Sequence, residues 1–126
     1  MDKLINSSYH WERRIAMVAT LSFIKANSLS VVFKYTQMRM NDPEDLMHKA
    51  CGWMLREAGK KDSELLKQFL HQYGIHLKRT TLRYSIERFS KKERDFFIGY
   101  FYPLIVVPVI VGLFFRMFRL NSKLFT

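Results

Sequence analysis

The chain has 126 residues, 48% of them apolar and 15% aromatic, which is enough for one small domain with a hydrophobic core. Its 21 basic residues against 11 acidic residues give a formal net charge of +10. A charge of this size favours nucleic acid or an anionic membrane surface as the partner, without deciding between them. The single cysteine, Cys51, excludes an internal disulfide and a cysteine-rich metal site.

The N-terminal segment is mostly polar over residues 2–8, where a secretory signal would need an apolar run. We therefore expect a cytoplasmic protein. A helix is predicted from about Tyr9 to Ala26, with Arg13 and Arg14 on different sides of it. Its inward stripe is predicted to consist of Ile15, Val18, Ala19, Ser22 and Phe23.

A second helix is predicted from about Leu29 to Met40. Asp42 is then predicted to cap the central helix, with Pro43 in its first helical position. The sequence LMHKACGWMLREAGKK at residues 46–61 forms the body of this helix. Its apolar residues share one helical face, which predicts a core contribution from Met47, Ala50, Cys51, Met54 and Ala58.

Another face of the central helix carries Lys49, Trp53, Arg56 and Lys60 at spacings of four, three and four residues. A cationic stripe around an indole suits a phosphate backbone, because the cations neutralise phosphates and the flat ring can lie against a sugar or a base. On periodicity alone, the favoured interpretation is a core tryptophan beside a solvated charged face.

Two further helices are predicted, from about Ser63 to Tyr73 and from about Arg79 to Phe89, and Ser90 can cap a last one. Their predicted inward residues are Leu65, Leu66, Phe69 and Leu70 in the first and Leu82, Ile86 and Phe89 in the second. Arg79 and Arg83 lie one turn apart outside. Short amphipathic helices joined by tight turns predict stacked helical hairpins, an α-solenoid.

The segment FFIGYFYPLIVVPVIVGLFF at residues 96–115 is an uncharged run long enough to cross a bilayer. Pro103 and Pro108 would kink a single span. Three interpretations stay open: a membrane anchor and a frame-shifted end on equal terms, and a hydrophobic cap on the last repeat in third place.

Three stretches carry a resemblance to a known family. HKACGWMLREAGKKD (residues 48–62) resembles HKAxGWMLREVGKRD of the AlkD-like DNA alkylation repair glycosylases; YHWERRIAMVATLSFIK and LKRTTLRYSIERFSKKERDFF resemble two other family motifs. The match covers residues 1–97. It implies an all-α fold, an ARM-type array of HEAT-like repeats that grips duplex DNA. We expect a partial repeat domain at 1–97 and a hydrophobic tail at 98–126.

The resemblance also implies a function, the hydrolytic excision of alkylated purines from duplex DNA. By motif, the family's DNA-contacting arginine corresponds to Arg14 and its later DNA-contacting tryptophan to Trp53; their bland interpretations are an exposed surface arginine and a core indole. The DNA-binding residues that we predict are Arg14, Lys49, Trp53, Arg56, Lys60, Arg79 and Arg83.

Catalysis is a separate question. The family's catalytic aspartate belongs to a tryptophan and aspartate motif in an earlier repeat, and we find no such motif here, so the catalytic residue is unknown. We expect Glu57 to pair with a nearby arginine and Glu12 to be solvated. Histidine spacing predicts no metal site, and we expect no cofactor. The alternatives are a non-catalytic basic helical module held at a membrane by residues 96–115, and a truncated product without independent activity.

Overall fold

A computed structural model of the protein describes residues 2–101. Over this range the chain is helical and contains no strand, as predicted, and the arrangement is consistent with a helical-repeat fold. The elements are α1 (Asp2–Ile5), α2 (His10–Ala19), α3 (Leu21–Lys25), α4 (Ser30–Met38), α5 (Asp45–Lys61), α6 (Ser63–Tyr73), a 3-10 helix (Gly74–His76), α7 (Arg79–Ser85) and α8 (Lys91–Phe101).

The chain divides after Ser90 into two compact units, and α8 belongs to the second. The predicted domain boundary between residues 97 and 98 stays a prediction. None of the described helices is long and apolar enough to cross a membrane. The candidate span at 96–115 lies mostly outside the described residues, so the anchor also stays a prediction.

Helix α5 is the centre of the first unit and packs against α2, α4, α6 and α7. Its predicted core stripe is confirmed, because each member is at most 6% exposed: Met47, Ala50, Cys51, Met54 and Ala58. Leu55 and His48 are buried as well. A helix that is buried over such a wide face has to contact several other helices, which explains its central place.

The contact between α5 and α7 depends on Gly52. A Cβ atom at this position would lie 2.6 Å from Cβ of Tyr84 and 2.8 Å from the main-chain oxygen of Thr81. Both distances are too short for any side chain, so the absence of one lets the two helices approach closely.

The inward stripe predicted for the first long helix is wrong. Ile15 is 52% exposed, and Ser22 and Phe23 are exposed too. The buried residues of α2 are instead Arg13, Ala16 and Met17. The prediction failed because it chose the neighbouring helical face, whereas the buried face carries Ala16 and Met17 together with a paired arginine.

The predicted helix from Tyr9 to Ala26 is also interrupted. Thr20 separates α2 from α3, with its backbone N–H 3.1 Å and its hydroxyl 2.5 Å from the main-chain oxygen of Met17. A short threonine hydroxyl that bonds to the preceding turn competes with the regular helical ladder. Asn27, with φ of 62°, then makes the left-handed turn that leads to α4.

The predicted cap at Asp42 is wrong as well. Helix α5 begins at Asp45 after Glu44, so Pro43 lies outside it. The Asp42 carboxylate accepts the Glu44 N–H at 2.9 Å, and its other contacts are to arginines. The prediction made Asp42 a helix cap, whereas its main partner is Arg13, which lies 29 residues away in the chain.

Helix α6 has the predicted bounds, and Asp62 caps it by accepting the Leu65 N–H at 3.2 Å. Leu66, Phe69 and Leu70 are buried as predicted, but Leu65 is 42% exposed, which corrects its inward assignment. Helix α5 ends at Lys61, the last residue of the predicted segment 46–61. Helix α7 is shorter than predicted and ends at Ser85, with Leu82 and Ile86 buried as expected.

Candidate functional site

A groove of ≈ 840 Å³ opens between α2 and α5, with α7 contributing at one edge. Its lining consists mainly of apolar and aromatic side chains together with three cations. The lining residues are Trp11, Arg14, Ile15, Val18 and Ala19 from α2, Leu46, Lys49, Ala50, Trp53 and Arg56 from α5, and Tyr84 from α7.

Helical periodicity explains how each wall is built. Trp11, Arg14, Ile15 and Val18 follow the spacing of one helical face, and the lining residues of α5 follow the same spacing from position 46 to position 56. Two helices that pack side by side turn these faces toward a shared opening. The groove is therefore formed by one helical face of α2 and one of α5.

Trp53 lies in this groove and is 39% exposed, so the bland interpretation of a core indole is wrong. Trp11 is 49% exposed, and its ring centroid lies 6.2 Å from that of Tyr9. Exposed indoles on facing walls are unusual, because tryptophan is mostly buried on average. Both indoles are part of the groove lining.

Arg14 lies in the groove without a carboxylate partner among the described residues. Its Nε atom is buried and has no hydrogen-bond partner among the described residues, and no acid in that part of the chain lies within ion-pair distance. A buried donor without a partner costs free energy that an incoming acceptor can recover. The Nε atoms of Arg39 and Arg56 also lack a hydrogen-bond partner among the described residues, but they lie 3.5 and 3.9 Å from a carboxylate oxygen.

Arg56 also lines the groove, but carboxylates compensate its charge. Its Nη1 donates to Glu87, and its Nε lies 3.9 Å from Oε1 of Glu57. Glu57 also forms an ion pair with Lys60, whose Nζ lies 3.0 Å from the same oxygen. The predicted structural pairing of Glu57 is confirmed, and the positive field of Arg56 is correspondingly reduced.

The other predicted DNA-binding residues divide between two places. Lys49 lines the groove and is exposed. Lys60, Arg79 and Arg83 are exposed residues that do not line it. The predicted solvation of Glu12 is wrong, since its carboxylate is half-buried and accepts the Ser7 hydroxyl.

Trp11, Ile15 and Tyr84 line the groove but were missing from the predicted site. For Trp11 and Ile15 a signal was available, because they lie three and one residues from Arg14 on its helical face. For Tyr84 no local signal existed. Its place depends on the close contact of α7 with Gly52 of α5.

A chain of hydrogen bonds runs behind the groove. Arg13 donates from Nε to the Asp42 carboxylate at 2.8 Å, and the Asp42 main-chain oxygen lies 2.6 Å from Nε2 of His48. Because a carbonyl oxygen only accepts, His48 is the donor. Thr81 donates its hydroxyl to the main-chain oxygen of His48 at 2.9 Å. The chain links α2, α5 and α7, the three helices that line the groove.

Burial and charge also set the titration of two groups near this chain. Burial by itself raises the pKa of the Asp42 carboxyl, but the hydrogen bonds from Arg13 and from the Glu44 N–H outweigh it and hold the pKa below its usual value. Burial raises the pKa of the Cys51 thiol to about 12. Cys51 therefore stays a neutral thiol at physiological pH.

The chemistry of the lining favours binding over bond cleavage. None of its described side chains is a carboxylate, a histidine or a thiol. Within residues 2–99, no three His, Cys, Asp or Glu side chains are grouped to hold a metal ion. Cations, indoles and one phenol can hold an anion and pack against flat or sugar-like surfaces.

These features describe a basic protein that is helical over residues 2–101 and has a groove lined by aromatic and cationic side chains. The sequence model of a family described as DNA alkylation repair enzyme matches residues 1–89. The chain belongs to this DNA alkylation repair family. No curated protein and no solved structure shows a significant match to the chain.

Proposed function

We propose that the groove binds the backbone of duplex DNA as part of alkylation repair. In this proposal Arg14 holds a phosphate oxygen, while Trp11 and Trp53 pack against deoxyribose from the two walls. The observation that carries the proposal is the buried Nε of Arg14, which lacks a partner among the described residues and lies in an aromatic groove.

The charge of the whole chain supports the same partner. A formal charge of +10 attracts a polyanion over a distance set by ionic strength. Phosphate contacts release bound counterions, so binding of this kind weakens steeply as salt is added. Lys49 adds a second exposed cation to the groove, and Arg79 and Arg83 remain proposed contacts outside it.

The reaction that we propose for the site is excision of an alkylated purine from the duplex. Such a base is cationic and a good leaving group, so the sugar cation that develops needs a nearby anion more than a general acid. The described lining has no carboxylate. We therefore assign its residues to binding and positioning and leave the catalytic residue open.

Binding is tested by titrating fluorescent duplex DNA with the purified chain at several salt concentrations. Arg14→Ala and Trp53→Ala are expected to weaken binding to all sequences to a similar extent. Lys25→Ala is the matched control, because it removes an exposed cation of α3 outside the groove. Equal affinities of Arg14→Ala and Lys25→Ala would refute the assignment.

Excision is tested separately by release of 7-methylguanine from methylated duplex DNA. Release that is lost in Arg14→Ala and Trp53→Ala supports a glycosylase that uses this groove. Duplex binding without any release would limit the function of the chain to DNA binding. A chain that neither binds nor releases would overturn the proposal.

A further inference from the structure

Helix α2 buries Arg13 on the same face as Ala16 and Met17, while it leaves two large apolar side chains exposed. Trp11 and Ile15 are 49% and 52% exposed, whereas Arg13 is 7% exposed. A separation of two residues corresponds to roughly 200° around a helix, so Arg13 lies opposite both of them. Burying a charged side chain on this face costs free energy unless a partner compensates it. An interaction that pairs with Arg13 therefore helps to fix the rotation of α2 about its axis.

Asp42 supplies that interaction by pairing with Arg13 at two points. Nε and Nη2 of Arg13 lie 2.8 and 3.2 Å from the two carboxylate oxygens. The remaining nitrogen, Nη1, donates to the main-chain oxygen of Ser7 at 2.9 Å. A two-point contact fixes the plane of a guanidinium as well as its position. Arg13 is thus held on the inner side of α2.

Asp42 is itself held firmly at the start of α5. Its side chain is fully buried, accepts the Glu44 N–H at 2.9 Å and lies 3.5 Å from Nε of Arg39. Its main-chain oxygen accepts from His48. Because Asp42 lies in the short turn before α5, the pair with Arg13 connects the two helices that form the walls of the groove.

We propose that Asp42 is a positioning residue that, by holding Arg13 inward, aims Arg14 and Trp11 of α2 into the groove. Arg14 follows Arg13 in the chain, so the rotation that buries Arg13 sets the direction of Arg14. Asp42 does not line the groove. This inference rests on the proposed function for its effect on DNA, but its structural part can be measured without DNA.

The structural part is tested by acrylamide quenching of Trp11 in a Trp53→Phe background, where Trp11 is the sole indole. Asp42→Asn keeps the shape of the side chain and removes the charge that pairs with Arg13. We expect quenching of Trp11 to fall, because α2 turns its apolar face toward the core. Unchanged or stronger quenching in folded Asp42→Asn protein would overturn the proposal.

The functional part is tested by combining Asp42→Asn with Arg14→Ala and measuring affinity for duplex DNA. In the parent chain, Arg14→Ala is expected to weaken binding about tenfold, as for loss of one charged hydrogen bond. In the Asp42→Asn background the same change should have less than half that effect on a logarithmic scale. Leu66→Ala is the control, since it destabilises the core at α6 and should leave the full effect of Arg14→Ala.

A second variant covers the case in which Asp42→Asn does not fold. Arg13→Lys keeps the positive charge but cannot make the two-point contact. We expect it to fold and to reduce both Trp11 quenching and the contribution of Arg14. Parent-like values of both would overturn the positioning role. If the parent chain does not bind DNA, the proposed function fails, and quenching still decides the role of Asp42.

Discussion

Arg14 and Arg56 line the same groove, but they differ in how their charges are compensated. No described acid pairs with Arg14, whereas Glu87 and Glu57 both lie at Arg56. An arginine that already has carboxylate partners gains less from a phosphate, because one pairing replaces another. The two residues should therefore contribute unequally to DNA binding.

This difference predicts the salt dependence of two variants. Arg14→Ala should flatten the slope of log affinity against log salt by about one unit, the effect expected for one phosphate contact. Arg56→Ala should change the slope by less than that. The measurement is a salt titration of duplex binding for both variants. Equal changes in slope would contradict the difference in pairing.

Removing the carboxylate that faces Arg56 should have the opposite effect. Glu87→Gln leaves the guanidinium without its closest anionic partner and removes one negative charge from the edge of the groove. We expect tighter duplex binding and a steeper salt slope in the same titration. Glu64→Gln is the matched control, because Glu64 pairs with Lys67 on α6 outside the groove. An equal gain in affinity in both variants would mean that the change in net charge explains the effect, and not the release of Arg56.

The buried thiol of Cys51 gives a prediction that is independent of DNA. Its raised pKa and its exposure of 1% leave neither thiolate nor access for a reagent. We expect no reaction with a disulfide reagent at neutral pH in the folded protein and full reaction in denaturant. Rapid labelling of the native chain would show that α5 is not packed as described.

At the scale of the helices, the sequence predicted α5 and α6 well and α2 poorly. The core stripe of α5 is confirmed because its neighbours cover that face completely. The stripe of α2 is wrong because the pairing of Arg13 with Asp42 is a contact across 29 residues, which local periodicity does not contain. The break at Thr20 depends on a hydroxyl whose bonding choice sequence alone does not specify.

In the candidate site, too, the features local to one helix were predicted and the contacts between helices were not. Arg14, Lys49, Trp53 and Arg56 were predicted and do line the groove. The neutralisation of Arg56 by Glu87 and the place of Tyr84 depend on how α7 meets α5, so neither was accessible from one helix at a time. The sequence thus predicted groove residues on α2 and α5, but not the ion pair between Arg56 and Glu87.

The close contact between α5 and α7 predicts the effect of adding a methyl group. Gly52→Ala should reduce the free energy of unfolding by about 1–3 kcal/mol, because the new Cβ meets rigid atoms of Tyr84 and Thr81. The measurement is chemical denaturation. The Gly52→Ala substitution should also displace Tyr84 from the groove and weaken DNA binding.

Gly59→Ala is the control within the same helix. Its Cβ would meet Cδ2 of Leu66 at 2.5 Å, the end of a side chain that can rotate. The higher helix propensity of alanine, worth up to about 1 kcal/mol, offsets that contact. A larger loss of stability in Gly59→Ala than in Gly52→Ala would contradict the packing described for α7.

For the whole molecule, acidic groups with lowered pKa values determine how stability depends on pH. The Tyr35 hydroxyl lowers the pKa of Asp2, and Arg13 is the main group that lowers the pKa of Asp42. A carboxyl group whose pKa is lower in the folded state stabilises that state above the unfolded pKa of about 3.9 and loses this contribution as the pH falls through the folded value.

We therefore expect stability to be maintained down to about pH 4 and to fall below it. Asp42→Asn should lower stability at neutral pH by at most about 3–5 kcal/mol, the usual cost of breaking a buried ion pair, and should flatten the acid dependence. Thermal denaturation between neutral and acidic pH provides the measurement. If stability falls with acidity in this variant as it does in the parent chain, other carboxyl groups are responsible for the acid dependence.

The hydrogen-bond chain from Arg13 through Asp42 and His48 to Thr81 has a consequence for how the groove opens. Helices that share buried polar contacts exchange their amide hydrogens together, because breaking one contact exposes the others to water. The walls from α2, α5 and α7 should accordingly show one common opening free energy in native-state hydrogen exchange. A ligand that enters the groove would then slow exchange in all three helices, including amides that it never touches.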